Sequence, residues 1–191
     1  MSATGRSDVR HPDDFYATPA WCTRAIAPFL QLYPERPVFD PAAGEGAILD
    51  VLLGLGCTTS GLEIDPVRAR TAATMGGHGV HERDALCDTT WRVPSAGVVV
   101  MNPPYALAMA FVQRAVAECE RVAALLRLPW LASQKRAAWL RANTPSVHVL
   151  PKRPSFTGKG TDATDYAWML WGFGPATVHI LDVCGEVVRD G

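Results

Sequence analysis

The sequence predicts an α/β fold: a doubly wound, mostly parallel sheet of about seven strands with helices packed against it. Three observations carry this. Beyond Pro12, strand-like and helix-like segments alternate along the chain, which is the pattern of an α/β sheet. The run Gly97-Val98-Val99-Val100-Met101 is apolar with no polar alternation, as in a strand covered on both faces inside a parallel sheet. Four strand-like segments end in a polar or glycine-rich signature, and open α/β sheets bind ligands outside the carboxyl ends of their strands.

Residues 1–12, polar and ending at Pro12, read as a loose tail, and residues 13–191 as one domain. Thr18 followed by Pro19 signals an N-cap and a first helical residue. Ala25, Ile26, Phe29, Leu30 and Tyr33 then form a helical apolar stripe, which Pro28 should kink or shorten. Val38-Phe39 is a short first strand, Gly46 to Leu55 an apolar helix closed by glycines, and Ser60 to Ile64 a second strand. Asp65-Pro66 repeats the cap-plus-proline signal and opens a helix to about Met75. A weak third strand lies near Val80-His81. After the Gly97–Met101 strand comes a helix from about Ala106 to Glu120, then an apolar strand from Val122 to Leu128. Ser133 can cap a helix to Asn143, stopped by Pro145. Val147–Leu150 and Tyr166–Trp171 read as strands separated by a polar loop, and Thr177–Val183 stays open between one more strand and none.

The chain has 191 residues, 48% of them apolar, enough for one full core. No apolar run approaches the ~20 residues of a membrane span. The N-terminus, Met1 to Asp8, lacks the apolar stretch of a signal peptide, so the cytoplasm is the expected compartment. The five cysteines, Cys22, Cys57, Cys87, Cys119 and Cys184, are odd in number and widely spaced, with no Cys-x-x-Cys. Neither a metal site nor a disulfide framework is expected. Net charge is −1, but its distribution is uneven. From Arg121 to Thr161 stand Arg121, Arg127, Lys135, Arg136, Arg141, Lys152, Arg153 and Lys159 without one acid, so from a total of −1 that stretch carries +8 and the remainder −9. It reads either as compositional bias or as one basic surface facing a polyanion.

The four strand ends carry the chemistry. Asp40-Pro41-Ala42-Ala43-Gly44-Glu45-Gly46 follows the first strand; its glycines let backbone approach a ligand closely. Leu49 stands where a dinucleotide fingerprint needs a third glycine, and no Gly-Lys-Ser/Thr follows, so NAD and ATP phosphate cradles are disfavoured. Without a pyrophosphate to hold, Asp40 can face a cationic amine. A plain glycine-rich turn explains this segment equally well. Glu63, ending the second strand, can accept both hydroxyls of a ribose, while Asp65 beside it is more simply a helix cap. Asp84 can accept from the exocyclic amine of an adenine, or be an ordinary loop acid. Asn102-Pro103-Pro104-Tyr105 ends the apolar strand. Its two prolines remove two donors and stiffen the turn, leaving the Asn102 side chain and the Pro103 carbonyl as fixed acceptors beside a ring. Such a nest suits a planar amino group.

Asp-Pro-x-x-Gly-x-Gly, Glu-Ile-Asp-Pro, Asp-Ala-Leu and Asn-Pro-Pro-Tyr, in this order and spacing, resemble the S-adenosylmethionine-dependent amino methyltransferases. More narrowly they are similar to the DNA adenine-N6 methyltransferases, with Phe15-Tyr16-Ala17-Thr18-Pro19 ahead of the glycine loop as in the gamma-ordered members. The resemblance runs from about Phe15 to Trp171. It implies a class I, Rossmann-like methyltransferase fold and S-adenosylmethionine as cofactor. It assigns Phe15, Thr18 and Pro19 to the methionine end, and Asp40, Ala42, Gly44 and Gly46 to the glycine loop. Glu63 falls to the ribose, Ile64 and Phe111 to the faces of the adenine, and Asp84 to its amine. Asn102, Pro103, Pro104 and Tyr105 would hold the target amine. Lys152-Arg153-Pro154-Ser155-Phe156 resembles the family's late aromatic motif, which makes Phe156 the second stacking partner of the base.

Family members that read a long DNA site carry a separate recognition domain, and no insertion large enough for one is visible here. Recognition would then rest on the Pro151–Asp165 loop, with Lys152, Arg153 and Lys159 seeking phosphate, or on a second subunit, as in a minimal phage or bacterial mobile-element enzyme. DNA is the expected partner and a membrane is not; monomer and homodimer stay open. The competing readings are the same chemistry on RNA adenine or on a protein glutamine, and, further off, a SAM-binding subunit without activity. An ordinary dehydrogenase fails on the missing glycine.

Overall fold

A computed structural model of the chain describes residues 16–33, 36–75, 79–87, 91, 97–156 and 160–182. The expected tail, Phe15 and Lys159 lie outside the described residues. The elements are α1 (Ala20–Ile26), β1 (Val38–Asp40), α2 (Ala47–Gly54), β2 (Thr59–Glu63), α3 (Pro66–Met75), β3 (Gly79–Glu82), β4 (Val98–Met101), α4 (Ala108–Glu118), β5 (Val122–Arg127), α5 (Gln134–Ala142), β6 (Ser146–Val149), β7 (Tyr166–Trp171) and β8 (Val178–Ile180). Short 3-10 turns occupy Ala27–Phe29 and Leu128–Leu131.

One sheet of eight strands runs in the order β3-β2-β1-β4-β5-β7-β6-β8. The first five are mutually parallel; β7 is antiparallel to both β5 and β6, and β8 pairs parallel with β6. The α/β, mostly parallel sheet is the expected one, with eight strands in place of seven. The eighth is β8, inside the Thr177–Val183 segment that the sequence leaves open; its three residues are all exposed, so no buried apolar run decides it. From β1 the chain winds outward in both directions, through β2 to β3 and through β4 to β5. That reversal leaves a crevice at the carboxyl ends of β1 and β4.

Strand β4 shows why the sheet sits where it does. Val98, Val99, Val100 and Met101 are each 0% exposed, and alternate residues enter opposite cores. Val98 and Val100 join Ile26 of α1 and Leu49 and Leu52 of α2. Val99 and Met101 join Phe111 and Val112 of α4 and Trp171 of β7. Each such side chain contributes on the order of 1.5–3 kcal/mol. Helix α1 is tied to the sheet by Trp168, whose Nε1 donates to the Cys22 carbonyl at 2.9 Å.

The cap signals divide. Asp65 Oδ1 accepts the Val67 and Arg68 N–H groups, each at 2.9 Å, so α3 starts as expected. Helix α1 stops at Ile26, with Pro28 in the 3-10 turn beyond it, because proline has no N–H to continue the ladder. Thr18 does not cap α1: the N-cap position is Pro19, and no side-chain bond closes the helix. The Thr18 hydroxyl is engaged elsewhere, in a tertiary bond described below. Ser133 holds the N-cap position of α5, also without a side-chain bond.

The Pro151–Asp165 loop joins β6 to β7. The edge is β8, and β7 is inserted beside β5, so the loop returns next to the end of β5. Arg127 and Tyr166 are register partners there.

Candidate active site

A cavity of about 520 Å³ opens in the crevice, within the range of small-molecule sites. Thr18, Asp40, Ala42, Glu63, Ile64, Asp84 and Phe111 line it, together with Asn102, Pro103, Pro104 and Tyr105. The motifs that the sequence scatters over four strand ends therefore meet in one place. Of the other expected cofactor residues, Pro19 is not in the wall, and Gly44 and Gly46 shape the loop behind it. Gly44 has φ 56° and Gly46 φ 93°, a left-handed backbone that glycine adopts without cost. It turns the chain from β1 into α2 within a few residues.

Glu63 holds this loop in place. Its Oε2 accepts the Gly44 N–H at 2.8 Å, and its Oε1 accepts the Asp65 N–H at 2.9 Å and the Arg68 Nε and Nη2 at 3.2 Å. Both Glu63 and Arg68 are buried. Oε1 is fully used, so a ribose hydroxyl would find its acceptor at Oε2. Arg68 is a wall residue that sequence reasoning missed. Its signal is its place in the first turn of α3, three residues after Asp65, where its side chain reaches back toward Glu63.

Asp40 is 1% exposed and accepts the Ala42 N–H at 2.9 Å. Burial pushes its carboxyl up to about 8, the Ala42 bond working against this and the charge of Glu63 adding to it. A cation set against Asp40 would ionise it. Asp84 is the opposite case. The Cys87 thiol donates to it and, with the Leu86 N–H at 2.9 Å, holds it below the usual carboxylate range. Apolar walls stand between these acids: Phe111 from α4, Ile64 at 63% exposure and Leu107 at 48%. Large apolar side chains left open inside a cavity suit a flat apolar ring.

Asn102 ends β4. Its Nδ2 donates to Thr18 Oγ1 at 3.0 Å and to the Tyr16 carbonyl at 3.3 Å. Its Oδ1 is buried and has no hydrogen-bond partner among the described residues, a state that costs roughly 1–3 kcal/mol until a donor reaches it. Around the neighbouring Tyr105 stands an aromatic cluster. Tyr16 stacks on it with ring centroids 5.9 Å apart, and Tyr166 tilts against it at 5.9 Å. Phe156 lies outside the cavity wall but in the same cluster, 5.9 Å from Tyr16 and 5.2 Å from Tyr166. The Arg127 guanidinium lies 4.3 Å from the Tyr105 ring centre. It also donates to Tyr166 Oη at 3.1 Å and pairs with Asp162 at 3.6 Å. Sequence reasoning counted Arg127 only as a surface cation. Its position at the end of β5, beside the Asn102 strand, is the signal that could have placed it here.

Among the described residues, several cations of the basic stretch are engaged within the fold. Arg153 pairs with Asp165 at 2.8 Å, Arg127 with Asp162, and Arg136 folds over Trp130 and donates to its carbonyl at 2.8 Å. Lys152 sits 5.0 Å from the Trp21 ring centre. Asp162 and Asp165 lie just past the end of the acid-free run, and the loop brings them back onto it.

No protein-family model and no curated protein matches the chain; solved structures do. It is similar to a modification subunit from Vibrio vulnificus YJ016 assigned to a type I restriction enzyme, at 15% identity and TM-score 0.68, over 87% of this chain and 47% of that one. It is similar to a protein from Listeria monocytogenes assigned to the class I S-adenosylmethionine-dependent methyltransferases, at 14% identity and TM-score 0.67, over 88% of this chain and 67% of that one. It is also similar to the 23S ribosomal RNA methyltransferase ErmE, at 20% identity and TM-score 0.62, over 93% of this chain and 72% of that one. The chain thus spans about half the length of the modification subunit. Across these distant sequences one architecture is shared, and the chain has the fold of the class I S-adenosylmethionine-dependent methyltransferases.

Proposed function

We propose that the protein transfers a methyl group from S-adenosylmethionine to the exocyclic N6 amine of adenine in DNA. The observation that carries this reading is Asn102: a buried amide oxygen lacking a partner, ending the strand beside Tyr105, in the wall of a cavity otherwise lined by Asp40, Glu63, Asp84 and open apolar side chains. The fold neighbours act on both kinds of nucleic acid, a type I modification subunit on one side and a 23S rRNA methyltransferase on the other. That leaves RNA as the alternative outcome of the test.

The residues fit the cofactor. Asp40 is a neutral buried carboxyl that a cationic ligand would ionise, Glu63 Oε2 keeps an acceptor site for a ribose hydroxyl, and Asp84 accepts from an adenine amine. Ile64 and Phe111 cover the ring, Ala42 joins the wall, and Gly44 and Gly46 shape the loop behind it. The cofactor supplies, when bound, a methyl group on a sulfonium that departs as a neutral thioether. The chain's own task is positioning. The N6 amine shares its lone pair with its ring and is a poor nucleophile. Asn102 Oδ1 and the Pro103 carbonyl accept its two hydrogens and favour a more tetrahedral nitrogen, whose lone pair is then free to attack. Pro104 stiffens the turn that carries them. Tyr105 and Phe156 stack on the base, each contact worth ~1–3 kcal/mol, which offsets part of the few kcal/mol of swinging it out of a duplex. Lys152, Arg153 and Lys159 approach the phosphates. Most of the rate gain comes from orientation and fixed dipoles, with no covalent intermediate on the protein.

The test is methyl transfer from labelled S-adenosylmethionine to duplex DNA, single-stranded DNA, RNA and protein in parallel, with mass spectrometry of the digested nucleosides. N6-methyldeoxyadenosine is the expected product. Label found in RNA or on glutamine, and absent from DNA, would overturn the substrate assignment.

A further inference from the structure

We propose that Thr18 is a positioning residue for Asn102, acting through its hydroxyl, and is not a binder of the cofactor's methionine end. The inference rests on the methyl-transfer reading above. An Asn amide can be built two ways round, and its role at a planar amine depends entirely on which. With Oδ1 forward it accepts a hydrogen from the amine; with Nδ2 forward it sets one N–H against another.

Two groups hold Asn102 from behind. The Tyr16 carbonyl, 3.3 Å from Nδ2, has no proton to give, so it tolerates the amide nitrogen and repels the amide oxygen. Thr18 Oγ1, at 3.0 Å, is the shorter contact and accepts the second N–H. With both N–H groups committed, the plane of the amide is fixed and Oδ1 remains its uncommitted polar atom. Thr18 is itself 5% exposed, in the short segment between Tyr16 and α1. Its placement there explains why the Thr-Pro pair, which looks like a helix cap, makes no cap: the hydroxyl is turned across the fold to a residue 84 positions away.

The experiment compares Thr18→Val, which keeps the side-chain shape and removes the acceptor, with Thr18→Ser, which keeps the acceptor and removes the methyl. Methyl transfer is measured under saturating cofactor, with cofactor affinity measured separately by calorimetry and folding by thermal unfolding. Thr18→Val should lower kcat about tenfold, the weight of one hydrogen bond that orients a reacting group. Cofactor affinity should hold within about threefold, and Thr18→Ser should restore the rate. If Thr18→Val fails to fold, Thr18→Ala removes the same acceptor without adding an apolar branch and is read in the same way. An unchanged kcat in the acceptor-less variant overturns the proposal. So does a loss that appears wholly as weaker cofactor binding, which returns Thr18 to the methionine end. Wild-type protein inactive on DNA, RNA and protein alike would instead overturn the methyl-transfer reading, so the two failures are told apart by the wild-type control.

Discussion

Replacing Asp40 by Asn should stabilise the protein, and by more the higher the pH. Asp40 is 1% exposed, and burial raises its carboxyl from 3.8 to about 8. Between those values the folded chain keeps a proton that the unfolded chain has released. Stability therefore falls as pH rises through the window, and the full cost is present above about pH 8. One proton gives a slope of about 1.4 kcal/mol per pH unit. His148 works the other way: burial lowers it from 6.5 to about 4, so its cost appears only as pH falls below 6.5. The span from pH 6.5 to 8 is therefore left to Asp40, and roughly 2 kcal/mol should be lost across it. The amide of Asp40→Asn still accepts the Ala42 N–H and carries no charge to desolvate. At about 2–4 °C per kcal/mol for a chain of this size, the gap in Tm over wild type should widen by roughly 4–8 °C between those pH values. Thermal unfolding of both proteins from about pH 5 to about pH 9 measures it. A gap independent of pH, or a wild-type protein that gains stability toward pH 8, would refute the reasoning. The same substitution should weaken S-adenosylmethionine binding, since the carboxylate that a cation would induce can no longer form.

Asn102→Ala and Tyr105→Ala should bind S-adenosylmethionine with wild-type affinity and lose methyl transfer; transfer at the wild-type rate by Asn102→Ala would sink the proposed mechanism, whatever the substrate. Glu63→Ala removes one carboxylate from Gly44, Asp65 and Arg68 together. It should cost about 3–5 kcal/mol of stability as well as cofactor affinity, so a Tm equal to wild type would show that the buried pair does not hold the loop. Reversing Lys152, Arg153 and Lys159 to Glu should flatten the salt dependence of nucleic-acid binding, whose log–log slope is near −0.9 per duplex phosphate contacted, while cofactor affinity stays unchanged; an unaltered slope would leave the basic run as composition only.

What the sequence shows and hides follows from the range of each interaction. The parallel core is legible because strands such as β4, covered on both faces, must be apolar throughout. The site is legible because its residues cluster at the ends of those strands, where backbone and polar side chains need not pair within the sheet. Residues whose meaning depends on a distant partner are not legible. Thr18-Pro19 carries the same local signal whether its hydroxyl closes α1 or reaches Asn102. The acid-free run from Arg121 to Thr161 counts as strongly basic until Asp162 and Asp165 fold back on Arg127 and Arg153. The insertion of β7 between β5 and β6 is hidden for the same reason: an apolar run such as Tyr166–Trp171 states that it is buried, but not in which direction it runs or between which neighbours.

The charges of the candidate site divide along the same line as its two proposed tasks. The cavity's interior is rich in acceptors. Five acids line it, Asp40, Glu45, Glu63, Asp65 and Asp84, against two arginines, Arg83 and Arg68, the latter held by Glu63. Such a wall disfavours an anionic ligand and favours one that is cationic and rich in donors, which describes a sulfonium-bearing amino acid joined to an adenosine. At the Tyr105 end the available cation is Arg127, and it is engaged by Asp162, by Tyr166 and by the Tyr105 ring itself. A guanidinium held on three sides braces the ring more readily than it seizes a phosphate. On the proposed function, attraction for a polyanion would come from residues farther out, Lys152 and Arg153 on the returning loop, where Arg153 would have to exchange Asp165 for a phosphate. On the proposed function, the salt dependence of binding would belong to the loop, and the rate of the chemical step to the end of β4. Substitutions of Lys152 and Arg153 should leave the chemical step nearly untouched, because neither side chain belongs to the aromatic cluster of Tyr16, Tyr105, Phe156 and Tyr166.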